Sequence, residues 1–166
     1  MRIAIQMFLA NFPLVMLILS LTIAFIKRDG FFNRLLGSML ILTVGLCGIW
    51  GFIMHGFFPH MTSSYIGFRQ SPFEYEVAIA NLGIGITGII AAFSTYNYKK
   101  ATITMYSIFL LGAAFGHIYQ IQTAHNFHPG NAGTILWTDF LIPVFLWLAL
   151  IGTRKSKNYG FITSQD

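Results

Sequence analysis

From Ile3 to Ile26 the chain has no Asp, Glu, Lys or Arg in 24 consecutive positions. Three more uncharged runs follow, Leu35 to Phe58, Val77 to Tyr98 and Ala101 to Ala124, and a fifth, Gly133 to Gly152, carries Asp139 alone. A helix needs about 20 apolar residues to cross the hydrocarbon core, and in lipid every backbone polar group has to be satisfied within the segment itself. The pattern predicts an all-α integral membrane bundle of five transmembrane helices, at about 3–26, 35–58, 72–98, 101–124 and 133–152. These form one domain over 1–155, followed by a polar, mobile cytoplasmic tail over 156–166.

Composition agrees: 55% of residues are hydrophobic and 9% charged, too little polar surface for a water-soluble domain of this length. The net charge of +5 does not indicate nucleic acid, because the basic residues fall in short clusters between apolar runs. Lys27, Arg28, Arg34, Lys99, Lys100, Arg154, Lys155 and Lys157 gather at one end of such a bundle, and only Arg2 and Arg69 at the other. Because cytoplasmic loops carry the Lys/Arg excess, this predicts an external N-terminus and a cytoplasmic C-terminus. The first run leads into Lys27, Arg28 and Asp29, with no small-residue cleavage site, so it is expected to be retained. Cys47 is the single cysteine, which excludes an internal disulfide.

The stretch Ser71 to Gly88 carries the clearest helix start. Ser71 with Glu74 three residues on reads as a capping box, and Pro72 suits the first helical position. Below Glu76, the positions Ala80, Gly83, Thr87 and Ala91 form a face of small residues expected to meet a neighbouring helix. Gly83, Gly85 and Gly88 spell G-x-G-x-x-G, but without a preceding strand they read as helix packing. Of the external loops, 59–70 is expected to hold a short interfacial helix. In 125–132, Pro129-Gly130 marks a turn and Asn131 an N-cap for the last helix.

Ionisable groups inside a bilayer are costly and usually face one another or a wet cavity. His55, Glu76, His117 and Asp139 come from four different runs yet fall at one depth near the external end, with Asn81 and Gln120 beside them. His55 shares a stripe with Gly48 and Gly51, and His117 one with Ala113 beside Gly116, which points both inward. Pro143 cannot donate to the carbonyl of Asp139, which loosens the helix there. Three readings stand: an inter-helix lock, a small-ligand or proton site, and a divalent metal centre of His55, Glu76, His117 and Asp139. No H-E-x-x-H spacing supports the metal. Glu74 reads as the capping acid alone, and His60, His125 and His128 as solvated loop residues.

The blocks G-F-I-M-H-G-F-F-P, I-G-F-R-Q-S-P-F-E-Y-E-V-A-I-A-N-L-G, G-H-I-Y-Q and N-F-H-P-G-N-A-G with the following Asp139 resemble a family of small, functionally uncharacterised multi-pass membrane proteins of bacteria and archaea. The resemblance covers helices two to five and implies no reaction. It places family blocks around His55, Glu76, Asn81, His117, Asn131 and Asp139. The function expected is an outward-facing pocket of His55, Glu76, Asn81, His117, Gln120 and Asp139 that binds a small polar ligand or metal ion. The alternatives are a proton-coupled transporter and an accessory subunit. The partners expected are membrane lipids, further copies of the chain or a membrane subunit.

Overall fold

The computed structural model describes residues 10–26 and 29–162, with side chains up to Thr153. Helix α1 is Phe12–Phe25, α2 is Phe31–Phe57, α3 is Pro59–Ile66 and α4 is Phe73–Ala92. Helix α5 is Tyr96–Ala124, α6 is Pro129–Ala132 and α7 is Thr134–Ile162. Among the described residues there is no strand. Four segments are long and apolar enough to cross a bilayer: Phe31–Phe57, Phe73–Ala92, Tyr96–Ala124 and Pro129–Thr153. The first of the five expected spans is described over 14 helical residues, shorter than a crossing needs, and 3–9 lie outside the described residues. The expected tail, 156–166, is helical backbone as far as Ile162 and lies otherwise outside them.

Helices α1 and α2 form a hairpin. Ser38 Oγ donates to the carbonyl of Ser20 at 3.2 Å, and Arg34 spans the turn to the carbonyls of Ala24 and Asp29. At the far end of α1, Thr134 Oγ1 donates to Asn11 Oδ1 at 2.6 Å, which brings the starts of α1 and α7 together. The core between them is aliphatic, built on Leu36, Met39, Leu40, Ile103, Ile142 and Leu146. Within α2, Leu40–Leu46 widens into a π-helix. The buried Tyr106 hydroxyl donates to the Thr43 carbonyl at 3.0 Å inside that wide stretch, so a side chain of α5 takes up part of its hydrogen bonding.

The closest packing is between α2 and α4. A Cβ built on Gly48 would lie 2.5 Å from the backbone nitrogen of Gly85, and one on Gly88 would lie 2.9 Å from that of Gly45. Only hydrogen side chains allow so near an approach. The face of α4 that makes it runs Glu74, Ala78, Asn81, Gly85 and Gly88, at spacings of four, three, four and three. Of the expected face, Ala91 is fully buried and Thr87 half-buried, but its upper part, Glu76, Ala80 and Gly83, turns outward. Ala80 and Gly83 are exposed, and a Cβ on Gly83 would meet nothing within 4 Å. Of the G-x-G-x-x-G glycines, Gly85 and Gly88 pack and Gly83 does not.

Helix α4 starts at Phe73 with Pro72 as N-cap and no side-chain cap bond, so the capping box does not form. The Glu74 carboxylate is drawn to a histidine instead. The break between the third and fourth expected spans lies at Phe93–Thr95, ahead of the lysines: Thr95 caps α5 by accepting from the Tyr98 amide, so 96–100 belong to α5. The short helix expected in 59–70 is α3, which Pro59 starts and Gly67, at φ 78°, ends.

Candidate functional site

One end of the bundle is capped by α3, α6 and the linker 125–128; Arg34, Lys99 and Lys100 lie at the opposite end. Asn126 holds the cap together. Its Nδ2 donates to the carbonyls of Ile66 at 3.0 Å and Gly67 at 3.3 Å, and its Oδ1 accepts from the His128 amide at 3.1 Å. That last bond is an Asx-turn. Gly67 sits so close that a Cβ there would lie 2.6 Å from Asn126 Oδ1, and its backbone is left-handed, so both space and conformation call for glycine. Tyr65 packs its ring on Gly130 in the same way.

Beneath this cap lies His117, 8% exposed, on the α5 face that also buries Leu110 and Ala114. The expected neighbour Gly116 is exposed instead. His117 Nδ1 lies 2.7 Å from Asn131 Oδ1. Asn131, fully buried, spends both amide protons on carbonyls, that of His117 at 3.2 Å and that of Asn126 at 2.9 Å. Its orientation is therefore fixed, since a flipped amide would set its oxygen against two carbonyls. It follows that Nδ1 carries the hydrogen, donates to Asn131, and leaves Nε2 as the atom free to exchange a proton. Nε2 faces Asp139 Oδ2 at 3.7 Å, and the two side chains are 10% and 9% exposed. Asn131 was expected as an N-cap; it is the group that sets the histidine tautomer.

His55 belongs to a second pair. Its Nδ1 donates to Glu74 Oε2 at 2.7 Å, with the side chains 21% and 13% exposed. The expected acid, Glu76, is exposed. Two residues along a helix is about 200° of rotation, so Glu74 and Glu76 point opposite ways and only one can reach α2. Asn81 turns its Nδ2 back to the Val77 carbonyl at 2.9 Å and fills the space beside Gly51. Gln120 contributes its carbonyl, which accepts the Asn126 amide at 3.2 Å and closes the end of α5. His60, His125 and His128 are exposed.

The structure thus brings only His117 and Asp139 of the expected quartet together and pairs His55 with Glu74 in place of Glu76. Among the described residues no three His, Cys, Asp or Glu side chains stand together as a metal site requires. An open hollow of about 550 Å³ lies elsewhere, along α5 near its start. Glu74, Asn126 and Asn131 were not picked as site residues. Asn126 was legible as an Asx-turn residue; Glu74 and Asn131 had ordinary local roles on offer, and only tertiary contacts decide otherwise.

Four long apolar helices around an aliphatic core, with the buried His117, Asn126, Asn131 and Asp139 at the capped end, suggest a membrane protein. The chain belongs to the family of unknown function DUF6790, whose model matches residues 7–159. No curated protein and no solved structure matches it.

Proposed function

We propose that this chain is a multi-pass protein of the bacterial inner membrane, its capped end outward, in which His117 and Asp139 form a proton-exchanging site for a small polar ligand. The observation that carries the reading is the 3.7 Å separation of His117 Nε2 and Asp139 Oδ2 under an Asn131 that commits the other ring nitrogen. At that distance the two atoms are beyond direct hydrogen-bond range. With one proton between them the pair is either imidazolium with carboxylate or imidazole with carboxylic acid. A small group with one donor and one acceptor matches both states, and its binding is then tied to where the proton sits.

The experiment is ¹⁵N NMR of histidine-labelled protein in liposomes over a range of pH. The proposal expects Nδ1 of His117 protonated throughout and an Nε2 titration that changes in Asp139→Asn. An Nε2 that keeps its proton in both proteins removes it. A second reading, a purely structural lock, draws on the three hydrogen bonds that Asn131 makes while fully buried. On that reading Asp139→Asn leaves the His117 titration and the folding unchanged, and only Asn131→Ala destabilises.

A further inference from the structure

The hollow along α5 is lined by Asn97, Lys100, Ala101, Thr104, Met105 and Ile108. These positions recur at three- and four-residue steps, so they form a single stripe that descends from the start of the helix toward mid-bundle. Its chemistry changes along the way. Asn97 and Lys100 stand at the top, Ala101 makes the dip, and Met105 and Ile108, 41% and 69% exposed, wall the lower part. The Thr104 hydroxyl donates to the Lys100 carbonyl at 2.8 Å, which commits its hydrogen and leaves the methyl for apolar contact.

Lys100 is exposed and makes no ion pair or hydrogen bond through its ammonium group among the described residues. Charge at this end is one-sided. Among the described side chains Arg34, Lys99 and Lys100 belong to it against one acid, Asp29, which gives its carbonyl to Arg34. A free cation above an apolar slot on a membrane-facing helix calls for an anionic head on an acyl tail.

We propose that this stripe binds an anionic phospholipid: its phosphate meets the Lys100 ammonium and the Asn97 amide, and one acyl chain lies over Ala101 against Met105 and Ile108. A water-soluble anion lacks the chain, and a zwitterionic lipid carries its own cation beside the phosphate. A second copy of this protein would set two Lys100 stripes against each other and has no acid there to offer.

Native mass spectrometry of the purified full chain tests this, with phosphatidylglycerol titrated against phosphatidylcholine of the same chains. Retention of phosphatidylglycerol is expected to be several-fold higher, and Lys100→Gln should lower it about fivefold, the effect of one basic residue near an anionic surface. Lys99→Gln, one residue outside the stripe, should lower it less. Ala101→Leu keeps the charge and fills the dip, and it too should lose the lipid. Equal retention of the two lipids, a Lys100→Gln protein that holds phosphatidylglycerol as wild type does, or a dimer that covers α5 would overturn the assignment. Inorganic phosphate competing as well as the lipid would overturn the acyl part.

Discussion

His55 Nδ1 donates to Glu74 Oε2 at 2.7 Å, and this bond and the glycine contact of α2 with α4 lie on the same face of α4. Glu74 and Gly85 are eleven residues apart, which brings them within about 20° of each other around a helix of 3.6 residues per turn. The ion pair at the end and the close approach in the middle therefore report one rotational setting of α4.

A double-mutant cycle of His55→Ala and Glu74→Ala is expected to give a coupling of about 0.5–1 kcal/mol, because the pair is partly solvated and screened. Glu76→Gln should change stability by less than about 0.5 kcal/mol, as surface changes do. Chemical unfolding in detergent measures both. A larger effect from Glu76 than from Glu74 would mean that α4 is turned the other way.

The glycines separate the same two faces without charge. Gly48→Ala places a methyl 2.5 Å from Gly85 nitrogen and 2.7 Å from the Asn81 carbonyl, both backbone atoms that cannot swing aside. Overpacking of this kind costs about 1–3 kcal/mol. Gly83→Ala meets open space and should stabilise by up to about 1 kcal/mol through helix propensity alone. Thermal unfolding of the two variants side by side gives opposite signs.

The four long apolar helices were legible because they rest on local facts: uncharged length, a Pro at a helix start, Gly at a helix end. The rotation of each helix was less so. Glu76, Ala80 and Gly83 form as regular a stripe as Glu74, Ala78, Asn81 and Gly85, and a mostly apolar membrane helix has no polar side to break the tie. The glycine contacts with α2 break it, and they lie some 40 residues away in sequence. The site shows the same limit. His117 and Asp139 could be picked by the cost of placing them in lipid, whereas Asn131 sits among Pro, Gly and Asn that read as a turn. Its three bonds exist only once α5 and the linker 125–128 have met.

Tyr65, outside the long apolar helices, gives the cap a pH dependence. Burial against Gly130 raises its phenol above the ordinary value of about 10. A raised folded value means that the folded state holds the proton longer than the unfolded state does. The contribution to stability is then whole below about pH 10 and is lost as pH rises through the folded value. Unfolding followed across that alkaline window should show stability falling with pH, and Tyr65→Phe should flatten the slope. A Tyr65→Phe protein with the wild-type slope would assign the effect to another group.

Asn131→Ala removes three hydrogen bonds and strands two partners, the Nδ1–H of His117 and the carbonyl of Asn126, in a site with little access to water, while the His117 carbonyl keeps its place in the α5 ladder. Each buried polar group left without a partner costs about 1–3 kcal/mol, so the expected loss is at least about 2 kcal/mol. A second consequence is separable from stability. With no acceptor at Nδ1, the imidazole is free to place its hydrogen on Nε2, toward Asp139, and the ¹⁵N pattern of His117 should change from one tautomer to a mixture. Asn131→Asp keeps an acceptor for Nδ1 while it removes the donors to both carbonyls, so it should retain the tautomer and still lose stability. Were Asn131→Ala to leave the ring in its original tautomer, some other group would have to hold Nδ1, and Asn131 would be a strut for the cap alone.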